Sequence, residues 1–340
     1  METANDWQFE VLTVKSLLLS RLQSAIDLSG RGRVYLTGLQ PAQLLANPPL
    51  EAIENGVIYQ IDRANMPETA LKLDEIPLNR SKDSRGVVYI SAIALKLAKI
   101  WQQTPQVIAT KLVETLKPLC SRDFVIAVSP SGVIQFELTD IALAVWLQRI
   151  PGLSVGTRQC RVPTGIDQSG AYFINVESAV SNSAEEMLFP IQYSHARCCS
   201  LLRMANRDQL IAIGNPDPPA TPQIWSLTTP NPIPWLDDNK KLRLVHPAEY
   251  NLISQLLTVL DSLAPIIEQY NNQKPVNYLK LADSLSEAFQ TFYSQCRIWG
   301  EVKIENPKLA QARLGLILAT QSLLRFILEH LLNAVAPLEL

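Results

Sequence analysis

The sequence predicts two domains of different class: an α+β N-terminal domain, with helices on a small antiparallel sheet, and an all-helical C-terminal bundle. Three observations predict this. β-prone runs at Val57–Ile61, Phe124–Val128 and Val133–Leu138 fall among helical segments within residues 1–150. From residue 185 to 340, apolar residues recur at three- and four-residue spacing over several long stretches. Between the two, residues 151–184 hold a strand-like Ala171–Val176 and a Ser/Asn stretch at 178–183, which suits a linker or small bridging element.

In the first domain, Phe9, Leu12, Leu19, Leu22 and Ile26 lie at helical spacing and predict an amphipathic helix over 7–28, ended by Ser29-Gly30. A short strand is expected at Val57–Ile61. Residues 62–86 are polar and read as loop, with Asn79–Gly86 its most mobile and most basic part. Helices follow at Ala92–Gln103 and, after the Thr104-Pro105 start signal, at Gln106–Lys117. The strands Phe124–Val128 and Val133–Leu138 are joined by Ser129-Pro130-Ser131-Gly132, a hairpin-type turn. A helix from Thr139 or Asp140 to Gln148 closes the domain.

The second domain opens on Phe189–Ala205, an amphipathic helix. Tyr193 and Arg197 are four apart, as are Cys199 and Arg203, so each pair shares a face. Residues 214–235 are an insertion dense in proline that carries Trp225 and Trp235. Such a segment either drapes over its own domain or serves as an arm for a protein partner, with the two tryptophans as candidate contacts. Three helices follow, from His246 to about Tyr270, from Pro275 with Leu285, Phe289 and Phe292 as a buried stripe, and from Pro307 to about Ala334.

Composition excludes several classes. With 47% hydrophobic and 18% charged residues, the chain can bury a real core. A net charge of −2 provides no global attraction for nucleic acid or anionic membranes, so any RNA contact depends on local patches and shape. Five cysteines without a C-x-x-C, and histidines only at 195, 246 and 330, give neither a disulfide framework nor a metal site. No metal and no cofactor are expected. The N-terminus lacks a signal pattern, and no uncharged apolar run approaches the ~20 residues that span a bilayer. The expectation is a cytoplasmic protein without membrane contact.

The motifs carry a resemblance. Tyr193-Ser194-His195-Ala196-Arg197 within Phe189–Ala205 resembles the Y-x-Q-Y-A-H-A-R segment that opens the anticodon-binding domain of arginyl-tRNA synthetases. His246-Pro247-Ala248-Glu249 is similar to that family's H-P-x-E, and Leu285 through Arg297 to its L-A-x-x-F-x-x-F-Y-x-x-C-R. Ala312-Arg313-Leu314-Gly315-Leu316 resembles the signature for which the DALR anticodon-binding domain is named. Residues 91–138 look like the family's N-terminal additional domain, which touches the tRNA elbow.

The resemblance implies a tRNA contact at Tyr193 and Arg197, and at Gln135 in the N-terminal domain. Arg203 and Arg313 are further candidates for phosphate contact. Phe289, Phe292 and Tyr293 read as bundle core, and His195 as a satisfied helix histidine. Departures are equally plain. Val133 stands where the family has a stacking aromatic, Leu281 and Asp283 where it has tyrosines, and Leu340 where it has a terminal methionine.

The family's catalytic core has no counterpart. Neither an H-I-G-H nor a K-M-S-K type motif occurs, and no glycine-rich phosphate loop is present. Two functional classes follow: a non-catalytic tRNA-binding protein that presents tRNA, of arginine type by the resemblance, to a partner enzyme, or a protein-interaction scaffold that keeps the fold without RNA binding. A trans-acting subunit of a split synthetase is a third and weaker expectation.

Overall fold

Alternation along two strands sets up the first sheet. In β5 (Phe124–Val128) and β6 (Ile134–Leu138), Phe124, Ile134, Phe136 and Leu138 point inward, while Val125, Gln135 and Glu137 point out. The structure, a computed structural model, describes residues 13–30, 51–54, 57–60, 75–81, 86–152, 182–214, 225–267 and 276–340. The chain divides into two compact units, Met1–Thr139 and Asp140–Leu340.

In the first unit, α1 (Val14–Gly30) starts at Thr13, whose hydroxyl accepts from the Ser16 amide at 3.1 Å. It buries Val14, Leu18, Leu22 and Ile26. A hairpin of β1 (Glu51–Glu54) and β2 (Val57–Gln60) follows. Next come β3 (Leu78–Arg80), β4 (Val88–Ser91), α2 (Ile93–Trp101) and α3 (Pro105–Cys120). The sheet is antiparallel throughout, in the order β3-β4-β6-β5. α3 lies against α1, α2 and β5. The salt bridge Arg21–Asp123, at 2.7 Å with Arg21 nearly buried, ties α1 to the approach to β5.

The expected loop over 62–86 is corrected at Leu78–Arg80. This polar-looking segment is a strand because its backbone pairs with β4, and Ser91 donates its hydroxyl to the Pro77 carbonyl at 2.8 Å. The expected strand at Val57–Ile61 is β2. α3 outruns its expected end at Lys117 despite Pro118, because Cys120 is buried in the last turn and the helix is held by packing. Of the expected first helix, residues 7–12 lie outside the described residues, and α1 runs on to Gly30.

The second unit starts earlier than the expected boundary at 150. α4 (Asp140–Arg149) belongs to it: the Gln148 side-chain oxygen accepts from the Ile233 amide at 3.0 Å and from Trp235 Nε1 at 2.9 Å. Most of the expected linker, including Ala171–Val176, lies outside the described residues. α5 (Asn182–Arg207) begins three residues ahead of the expected 185. Then come β7 (Ala212–Gly214), β8 (Ser226–Thr229), α6 (Pro247–Ile267), α7 (Tyr278–Gln295), α8 (Glu301–Glu305) and α9 (Pro307–Phe326). The bundle is therefore not purely helical, since β8 in the proline-rich insertion pairs with β7 at its start.

α9 is the axis of this unit and touches α4 to α8. It is apolar nearly all round, with Leu314, Leu316, Ile317, Leu318, Leu323 and Leu324 buried. Pro307–Leu331 is long and apolar enough to cross a membrane, but 67% of its most apolar window is buried inside the protein, as befits a central core helix. Polar caps fix the neighbouring starts. Asn277 accepts from the Lys280 amide at 3.0 Å and Asn306 from the Leu309 amide at 3.2 Å. At α6, Glu249 reaches back to the His246 amide at 2.8 Å, the reciprocal half of a capping box.

Candidate nucleic-acid interface

α5 has one face in the core and one in solvent. Ile191, His195, Cys198, Cys199, Leu202 and Ala205 are buried, which turns Phe189, Tyr193 and Arg197 outward at four-residue intervals. Tyr193 is 46% exposed and stacks on Phe189, with centroids 6.4 Å apart and planes at 27°. Arg197 lies over the ring of Tyr293 from α7, 4.9 Å from its centroid, and donates to the Tyr293 hydroxyl. Tyr293 in turn stacks on buried Phe289 at 6.2 Å.

The result is an exposed aromatic stripe, with Phe189 about two turns and Tyr193 about one turn ahead of Arg197 on α5, and Arg197 itself seated on Tyr293. Exposed π faces accept an unstacked base of any identity, and a guanidinium fixed over a ring offers its remaining N–H groups to phosphate or a base edge. Tyr193 and Arg197 were expected here. Tyr293 was expected in the core, and the structure corrects this: it is 37% exposed. Phe289 and Phe292 define the buried stripe of α7, and Tyr293, one residue or about 100° further round, falls on its edge. That offset, and the four-residue repeat Phe189–Tyr193–Arg197, are the sequence signals that point to the patch.

The other expected residues do not join it. Arg313 is held by Glu249, Nε to Oε1 at 2.6 Å, and also donates to the Arg297 carbonyl. Glu249 is fully buried and needs this counter-charge, so Arg313 is a structural partner. Arg203 donates to the Leu338 carbonyl at 3.0 Å, pairs with Glu339 and lies over Trp225. Gln135 belongs to the first unit, exposed on β6 between Ile90 and Ala127 of its neighbour strands. Trp225 and Trp235, candidate partner contacts if the insertion were an arm, are buried at 6% and 3% exposure, so neither ring is presented to a partner. Trp235 fills the groove left by Gly315 of α9.

Behind the patch the C-terminal segment is strapped across α5. Gln192 donates to the Val335 carbonyl at 2.9 Å, and His195 Nδ1 lies 2.8 Å from the Pro337 carbonyl. His195 Nε2 faces the Gln321 amide nitrogen at 3.1 Å. A carbonyl on Nδ1 and an amide donor on Nε2 define the neutral tautomer with its proton on Nδ1. Burial pushes the His195 pKa below its usual range, consistent with that form. His195 is thus satisfied within the core, as its sequence setting suggested.

Nucleophilic chemistry finds no support nearby. Burial raises the thiols of Cys198 and Cys199, the latter to about 12, so both stay protonated. Among the described residues no group of three His, Cys, Asp or Glu side chains could hold a metal ion.

Comparisons with known proteins bear on the same half of the chain. Residues 191–339 match the family model of the DALR anticodon binding domain. An arginine–tRNA ligase of Synechococcus is 31% identical over 163 residues, which is 48% of this chain and 24% of the relative. That of Pelodictyon phaeoclathratiforme is 38% identical over 151 residues, or 44% and 23%. That of Shouchella clausii is 26% identical over 203 residues, or 57% and 31%. The chain spans about a quarter of the length of the first two relatives. No solved structure matches it. Residues 191–339 therefore form a DALR anticodon-binding domain, and the C-terminal half of this chain is homologous to part of the arginine–tRNA ligases.

Proposed function

We propose that this chain is a non-catalytic tRNA-binding protein that grips an arginine-type tRNA with the outward face of α5 and presents it to a partner enzyme in the cytoplasm. One observation carries the reading: the segment that matches the DALR domain exposes Tyr193 and an Arg197–Tyr293 pair on one face, with Phe189 stacked on Tyr193 just ahead of it. These groups suit a single-stranded loop, whose splayed bases stack on aromatic rings. The non-catalytic part rests on the sequence, which has no glycine-rich phosphate loop and neither ATP-binding motif of the synthetases.

Titrating tRNA against the full chain over a salt series tests it. Affinity should fall with salt as counterions are released. Tyr193→Ala should weaken binding by about 1–3 kcal/mol, the worth of a base stack, and Arg197→Ala should also reduce the salt slope. With ATP, arginine and tRNA supplied, the chain alone should form no aminoacyl-tRNA. An unshifted tRNA at low salt would sink the proposal. Capture of a protein partner in its place would favour the scaffold reading, which the −2 net charge and Asp283 on α7 support.

A further inference from the structure

Beyond Arg197 the polar face of α5 runs on into a cleft of about 660 Å³, lined by Ser200, Arg203 and Arg207 together with Trp225 and Glu339. Counted from Tyr193, these α5 residues stand at +7, +10 and +14, so at about 100° per residue Ser200 and Arg207 fall within roughly 40° of Tyr193, and Arg203 lies about 80° to one side. From Tyr193 to Arg207 this face is roughly 21 Å long at 1.5 Å per residue. The aromatic patch occupies one end of it and the cleft the other.

Two guanidinium groups and one carboxylate line the cleft. Arg203 is held by the Leu338 carbonyl and lies 5.9 Å from the centre of the Trp225 ring, so its planar fork is fixed before any ligand arrives. An anion already sits on it, since the Glu339 carboxylate is 3.0 Å from the guanidinium. Glu339 is 79% exposed, and an exposed pair of this kind is weak and easily displaced. Arg207 makes no hydrogen bond or ion pair among the described residues. Its neighbour Asp208 is engaged by Trp299 Nε1 and Lys303 Nζ, each at 3.0 Å.

We propose that this cleft takes a backbone phosphate of the same RNA between Arg203 and Arg207, and that Glu339 is its resident competitor. The proposal rests on the tRNA reading above and extends it. The aromatic patch holds bases, and the cleft holds the strand's backbone further along the helix. A phosphate gains bidentate geometry from Arg203 and a second cation from Arg207, neither of which the Glu339 carboxylate uses in full. Phosphate contacts position a strand without reading its sequence, so the cleft contributes affinity and register.

The experiment uses the full chain and total tRNA, with binding followed by fluorescence over a salt series and folding checked by circular dichroism. Arg203 is left alone because it also anchors the C-terminal segment. Arg207→Gln should weaken binding and lower the salt slope by about one. Glu339→Gln should tighten binding by up to about fivefold, the most an exposed ion pair is worth. If both variants match the parent in affinity and slope while Arg197→Ala loses binding, the cleft proposal falls and the tRNA reading stands. Weaker binding by Glu339→Gln also overturns it. If the parent chain binds no tRNA at low salt, both fall together.

Discussion

His195 sits within the same turn as Tyr193 and Arg197, yet it faces the opposite way. Its imidazole is neutral, shared between the Pro337 carbonyl and Gln321, with Arg325 and Glu329 as the charges that also act on it. Because burial lowers its folded pKa below about 6.5, the unfolded chain takes up a proton first as pH falls. The stability tied to neutral His195 is complete above that value and is lost on acidification toward the folded pKa. Chemical denaturation between about pH 6.5 and 5, above the carboxylate range, should therefore show falling stability, and His195→Gln should flatten that fall. Tyr293 is the opposite case. Its place in an F-x-x-F-Y run suggests core, but the helix turns it to the surface, where Arg197 meets it.

At the scale of elements, α9 organises the bundle and Gly315 decides how closely it is approached. A Cβ at Gly315 would come within 2.5 Å of the Trp235 ring and 3.0 Å of Ile233. Gly315→Ala should therefore destabilise by about 1–3 kcal/mol through overpacking, despite alanine's better helix propensity. A melting curve checks this, and an unchanged or raised melting temperature would show that the tryptophan moves aside freely. Glu249 links two elements in a similar way, since one oxygen caps α6 and the other neutralises Arg313 on α9. The sequence displays Glu249 and Arg313 as two motifs, and nothing in their spacing shows that they are partners.

For the whole molecule, the division of the chain is the testable feature. The second unit starts at Asp140, because α4 buries Ala142, Leu143, Trp146 and Leu147 and supplies Gln148 to Trp235. A fragment beginning at Asp140 should melt higher than one beginning at Asn182. The difference should reach at least roughly 5 °C, since each kcal/mol moves the midpoint of a domain this size by about 2–4 °C. Equal midpoints would place α4 outside the cooperative unit. The net charge of −2 acts at this scale as well, because it leaves any RNA contact to local patches rather than to long-range steering.

What the sequence by itself determined is what depends on neighbours along the chain. Hydrophobic period gave α1, α3 and the long bundle helices, alternation gave the β5–β6 hairpin, and motif order gave the likeness of the second half to the DALR anticodon binding domain. The pairing of Tyr193 with Arg197 on one exposed face belongs here too, since four residues make one helical turn. Tertiary structure alone decided what depends on contacts between distant segments. It made Leu78–Arg80 a strand, because only its backbone bonds to β4 show that it is one. It buried Trp225 and Trp235, took Arg313 into an ion pair with buried Glu249, and brought Tyr293 to Arg197 across 96 residues. The physical reason is that a side chain's type fixes which contacts it can make, while the packing of the whole domain fixes which of them it does make.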